Sequence, residues 1–227
     1  MTTPFGPLSL NEILFFITRA TVGAGAPFGI GEDVGKAAVL LANRGIDSAV
    51  VIAPALQSLE AGNSSMDIEL RTDGDGSVIE AIGNKPMSAA IAASAASDWI
   101  QENAGNAKAR LMVHRVDAPV LFAAVIEALH QGHVGWRVCI SAPDGTETAL
   151  IKEQNLLEND APSNITIAAD PSAQPVFKNR QQQALDCGVP VDSQAWQIIR
   201  DLFSRCLVPS TEETRLTGAG AGLTDTD

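Results

Sequence analysis

The sequence predicts an α+β fold, mixed in α and β structure: a mostly antiparallel or mixed sheet with hairpins, packed by about five helices that include an N-terminal helical pair. Three observations carry that expectation. Two capped segments near the N-terminus have helical spacing, two stretches of extended pattern turn at Asp-Gly, and a chain of 227 residues with 45% hydrophobic content can bury a sizeable core. By the usual scaling that core removes roughly 70% of the unfolded chain's surface from water.

Ser9-Leu10-Asn11-Glu12 has capping-box spacing and predicts a helix from about residue 10 to 22, stopped at Gly23. The glycine-rich run from Gly23 to Gly31 then turns the chain. Val34, Ala37, Ala38 and Leu41 recur at helical spacing over 32–43, before Gly45. Between 66 and 82, two alternating stretches flank Asp73-Gly-Asp-Gly76 and predict a hairpin. The span from Pro86 to Asn103 predicts a helix whose surface is mostly Ala and Ser, with Ile91, Trp99 and Ile100 as its large apolar groups. A strand over 111–116, a helix over 117–129 and a strand over 134–140 predict a βαβ crossover with its two strands parallel. Pro143-Asp144-Gly145 leads into a further strand over 146–151, and another follows over 164–168. Asp192 or Ser193 caps a last helix carrying Trp196, Ile199, Leu202, Phe203 and Cys206 on one face, and Pro209 prevents its continuation. Residues 1–208 read as one domain. Residues 209–227, rich in Gly and Ala and ending in carboxylates, read as a tail with little to bury.

Fifteen Lys and Arg against 27 Asp and Glu give a net charge of −12, which repels phosphate backbones and anionic lipid. Neither nucleic acid nor a membrane is expected as a partner; a small molecule or a protein is. Cys139, Cys187 and Cys206 are odd in number and widely spaced, without a CxxC motif, so a reducing cytoplasm is the expected location. The apolar run from Ile13 to Ile17 is bracketed by Glu12 and Arg19, too short and too charged for a secretion signal or a bilayer span.

Several side chains invite chemical readings. The run Gly23, Gly25, Gly29, Gly31 imitates a phosphate cradle, but it follows a helix rather than a strand, and Glu32 and Asp33 put negative charge where an anion would sit. His130 and His133 lack the further ligands of a metal site, and no metal is expected. His114, beside Arg115 and Asp117, is a candidate general base without an evident nucleophile. Cys187 lies in a turn before the last helix with Asp186 opposing a thiolate, while Cys139 and Cys206 read as core. Asp73 and Asp75 lack the sharp-turn Gly and bidentate Glu of a calcium loop. Arg44, Asp47 and Ser48 form a polar set after the second helix that could line a site.

Leu8 to Glu12, the segment Ala24 to Gly35, and Val208 to Gly222 together resemble a bacterial family of uncharacterised proteins, known only as a domain of unknown function numbered 3726. That resemblance implies that the tail is a recurring motif, and it brings no activity or cofactor with it. A second resemblance runs from Gly31 to Ser48, which is similar to an N-terminal segment of the malate/L-lactate type of NAD(P)-dependent oxidoreductase. There the family places a catalytic His directly after the Ser. This sequence has Ala49.

Two expectations of function follow. In the first, the chain is a small-molecule-binding protein or enzyme whose site joins the 23–31 glycine loop to the tail, with Ser210, Glu212, Glu213 and Arg215 brought over Arg19, Glu32 or Arg44. In the second it is a non-catalytic accessory or interaction protein that docks through the Ala/Ser helix or the tail.

Overall fold

The computed structural model describes residues 6–73, 76–130, 135–141, 146–149, 161–170, 172 and 181–206. The fold class is as the sequence implies: seven helices and a mixed six-stranded sheet among the described residues. The turn residues Gly74 and Asp75, His133, the turn at 143–145 and the tail at 209–227 lie outside them.

Helix α1 (Leu10–Gly23) starts where the capping box places it. Ser9 Oγ accepts the Glu12 backbone N–H, and the Glu12 carboxylate accepts the Ser9 N–H at 2.8 Å. Those bonds from Ser9 hold the Glu12 carboxyl below its ordinary value. Helix α2 (Phe28–Asn43) begins four residues earlier than the spacing predicts. Gly29 and Gly31 are therefore helical, because Pro27 sets the entry and Gly31 lets the two helices meet. A Cβ on Gly31 would stand 2.6 Å from the Thr18 carbonyl oxygen, and one on Gly35 would stand 2.3 Å from Thr18 Oγ1. The glycine spacing thus serves backbone approach between α1 and α2, around the core of Ile13, Ile17, Val34, Ala38 and Leu41.

Helix α3 (Ser48–Glu60) is not expected from the sequence, nor is the short α6 (Gln181–Cys187). Strands β1 (Ile68–Asp73) and β2 (Gly76–Ala81) form the expected antiparallel hairpin. Helix α4 (Ala89–Glu102) buries nine of its residues, among them Ala89, Ala93, Ala96 and Trp99, so its small face is used inside this chain. Its first N–H comes not to Ser88 but to Asp117, whose Oδ1 accepts the Ala89 N–H at 2.8 Å.

Strand β3 (Arg110–Val116), helix α5 (Pro119–Leu129) and strand β4 (Trp136–Ser141) follow in order. The sheet runs β1-β2-β3-β6-β4-β5, with β5 at Glu147–Ala149 and β6 at Ser163–Ala169. β3 and β4 are both antiparallel to β6, which lies between them, so they share a direction without being neighbours. The adjacent parallel pair is β2 with β3, joined through α4. Leu111, Val113, Ile165, Ile167 and Val138 on one sheet face join the helical core. Helix α7 (Ser193–Ser204) closes the molecule, with Trp196 against Phe16 and Phe203 against Phe15 and Phe16. No helix among the described residues is long and apolar enough to cross a membrane.

Candidate functional site

The segment from Arg44 to Asp47 is a tight turn between α2 and α3. Gly45 takes φ +75°, the left-handed value that ends a helix without steric cost, and the Gly45 and Ile46 N–H groups bond back to Ala42 and Leu41. Asp47 then begins α3 by accepting the Ala49 N–H through Oδ1 at 2.9 Å. Its other oxygen accepts the Asp192 N–H at 2.5 Å. Asp192 in turn caps α7, taking the Gln194 and Ala195 N–H groups at 3.0 and 2.9 Å. Two aspartates far apart in sequence thus tie the starts of two helices together.

Beside this tie lies a cavity of about 420 Å³. Ala42, Ile46, Ala184, Val189, Pro190 and Val191 supply apolar wall, while Asp47, Asp192 and Gln183 supply polar groups. Gly188, at φ +72°, lets the α6–α7 connection pass close to Pro7, and Leu8 bridges Val189 in antiparallel fashion beneath it. Among the described residues that line the cavity, none is basic.

Arg44 itself turns away to α5. Its guanidinium makes a two-pronged ion pair with Glu127, and the side chains are only 10% and 19% exposed. Burial lowers the Arg44 pKa to about 10, still charged at neutral pH, and Glu127 is the anion that compensates it. Ser48 and Ala49 are fully buried, and Ser48 Oγ has no hydrogen-bond partner among the described residues.

The other residues singled out in the sequence are scattered. Arg19 is exposed on α1, its guanidinium carbon 4.6 Å from the Phe15 ring centroid. Glu32 is exposed in the first half of α2. Glu32 and Arg44 stand twelve positions apart along that helix, about 18 Å at the helical rise, so one small ligand does not touch both. Ser210, Glu212 and Arg215 lie outside the described residues. His130 Nε2 meets Ser97 Oγ at 2.7 Å where α5 ends, and His114 sits half-buried beside a bulge at which Arg115 takes φ +50°. Cys187 is exposed at the end of α6, and Cys139 is buried, which raises its thiol pKa. Among the described residues no group of three or more His, Cys, Asp or Glu is placed to hold a metal ion. The sequence reading missed Glu127 and Gln183, and it saw Asp192 only as a cap. Nothing local marks Glu127, because its partner is on another helix.

Residues 8–86 match the family described as "Protein of unknown function (DUF3726)", in agreement with the resemblance read from the sequence. No curated protein matches the chain. Among solved structures, malate dehydrogenase from Pyrococcus horikoshii OT3 superposes with a TM-score of 0.55 at 9% identity, over 88% of this chain and 95% of that one. A putative malate/lactate dehydrogenase from E. coli gives 0.53 at 12% identity, over 94% and 98%. Malate dehydrogenase from Entamoeba histolytica gives 0.52 at 8% identity, over 90% and 99%. At these identities the likeness is one of fold.

Proposed function

We propose that this chain is a small-molecule-binding protein whose ligand occupies the cavity at the α2–α3 turn, on a dehydrogenase-like fold that lacks an imidazole at position 49. The observation that carries the reading is the coincidence of that cavity with the turn residues Gly45, Ile46 and Asp47, which lie within the stretch resembling the malate/L-lactate oxidoreductases and end two residues before Ala49. Ala49 has no proton to give or take, so the acid–base step that the family assigns to the residue after the Ser has no agent there. Binding needs no such agent.

The walls set the ligand class. A dicarboxylate or a pyrophosphate would face Asp47 and Asp192 with no basic residue among the described lining to offset them. A small ammonium with an apolar body fits both features, its body against Ile46, Val189 and Val191 and its charge toward the two aspartates. The volume is within the ~300–1,000 Å³ range of small-ligand sites. Calorimetric titration with benzylammonium as probe tests this. Wild type is expected to bind it, benzyl alcohol more weakly and malate not at all. Asp47→Asn weakens the ammonium about tenfold, near the effect of one modestly screened charge, and Ala184→Leu, which fills the cavity, removes binding. Equal binding of malate, or binding indifferent to Ala184→Leu, would contradict the reading.

A second placement of the ligand, between the 23–31 segment and the tail, is favoured by one contact. Cys206 Sγ donates to the Arg19 carbonyl at 3.0 Å, and a Cβ on Gly23 would stand 2.0 Å from the Leu202 carbonyl oxygen, so α7 ends against the start of that segment. From there Ser210, Glu212 and Arg215 would come over Arg19 and Glu32. Truncation after Val208 would then abolish ligand binding with the melting temperature nearly unchanged, and undiminished binding by the truncated chain would sink this placement.

A further inference from the structure

We propose that two copies of this chain associate through the free edge of β1, in an antiparallel, two-fold arrangement centred on Leu70 that continues the sheet across the pair.

Among the described residues β1 is the terminal strand of the sheet and pairs on one side only, with β2. Residues 69–72 are all exposed, Leu70 to 52%, and the apolar side chains of Met66 and Ile82 stand exposed nearby. Such an edge is normally blunted by Pro, Lys, a bulge or a covering element. Ile68-Glu-Leu-Arg-Thr-Asp73 contains neither Pro nor Lys, and its register with β2 runs without a bulge from Ile68 to Asp73.

The direction of the backbone groups follows from one bond. The Ile82 N–H donates to the Asp67 carbonyl at 2.9 Å, so Asp67, and by alternation Glu69 and Arg71, direct their backbone groups toward β2. Ile68, Leu70 and Thr72 therefore direct theirs outward. An antiparallel partner centred on Leu70 sets Leu70 opposite Leu70 of the second copy and Ile68 opposite Thr72. All of these are outward-directed positions, and together they supply about six backbone hydrogen bonds.

The same register sets Glu69 of each copy opposite Arg71 of the other. These fall at the closer, non-hydrogen-bonded positions, where cross-strand pairs of opposite charge are most favourable. Arg71, already paired with Glu80 of its own chain, then lies between two carboxylates. A shift of the centre by one residue loses this match. Centring on Glu69 sets Glu69 against itself, and centring on Arg71 does the same with arginine; like charges directly opposite are destabilising. The strand is thus self-complementary in hydrogen-bond direction, in charge and in its apolar centre at one register, which a second copy satisfies.

Sedimentation equilibrium of the full chain over a range of concentrations tests the proposal. Wild type is expected to dimerise. Glu69→Arg and Arg71→Glu, each at an exposed position, should each lower the association constant at least tenfold by opposing like charges. Mixed one to one, the two variants should recover wild-type association, because one strand is then basic at both positions and its partner acidic at both, so opposite charges meet at each end of the interface. A monomeric wild type overturns the proposal. So does a dimer indifferent to both substitutions, which would lie on another surface, and so does a mixture that stays monomeric.

Discussion

Arg44 shows how a residue that reads as a ligand contact in sequence can be committed elsewhere in the fold. Its guanidinium is withdrawn from water and held by Glu127 across the α2–α5 interface. Removing one member of a buried pair leaves the other charge uncompensated. Glu127→Ala should therefore destabilise the protein by about 3–5 kcal/mol in urea denaturation, while Arg44→Met with Glu127→Leu together should recover most of that loss. Asp117 carries the opposite kind of tension. Burial raises its pKa, against the hydrogen bond from the Ala89 N–H that favours the carboxylate. An acid whose folded pKa is raised binds its proton more tightly in the native state. Its contribution to stability is thus full below the unfolded pKa and is lost as pH rises through the folded one. Asp117→Asn keeps an oxygen for the Ala89 N–H and should raise the denaturation midpoint at pH 7 while changing it little at pH 3.

At the scale of elements, α1 and α2 are joined by close backbone approach at Gly31 rather than by side-chain interdigitation alone. A methyl there would meet a carbonyl oxygen that belongs to helix α1 and cannot swing aside. Gly31→Ala should cost about 1–3 kcal/mol despite its better helix propensity. Gly29→Ala, with nothing within 4 Å of the new methyl, should be neutral or stabilise by up to ~1 kcal/mol, and thermal denaturation of the two variants checks the contrast. The same helices show what is legible in the sequence. Ser9 with Glu12, Gly45 and Asp192 mark helix ends through bonds to residues close in the chain, and each stands where its local pattern puts it. Helix α3 is hidden because Val50, Val51 and Ile52 favour strands and Pro54 lacks an N–H, and because burial of Ile52, Ala53, Leu56 and Leu59 outweighs both. The insertion of β6 between β3 and β4 is hidden for another reason: no local pattern records which strand a distant segment will choose. The cavity shares that limit. Gly45 and Asp47 announce a turn, but the wall opposite them comes from residues 183–192.

Across the whole molecule, the dehydrogenase-like fold, the match of residues 8–86 to an uncharacterised family and Ala49 fit one description. The fold is similar to that of those dehydrogenases, and position 49, directly after Ser48, carries a buried methyl. The net charge of −12 and the carboxylates of the cavity have the same sign, so the field of the molecule favours the proposed cationic ligand over a dicarboxylate. Titration of the amide ¹H–¹⁵N spectrum with benzylammonium tests that claim most directly. The account predicts saturable shifts concentrated at Gly45, Ile46, Asp47 and Val189 to Asp192, absent when malate is added instead. Shifts confined to other surfaces, or a spectrum that benzylammonium leaves unchanged, would contradict it.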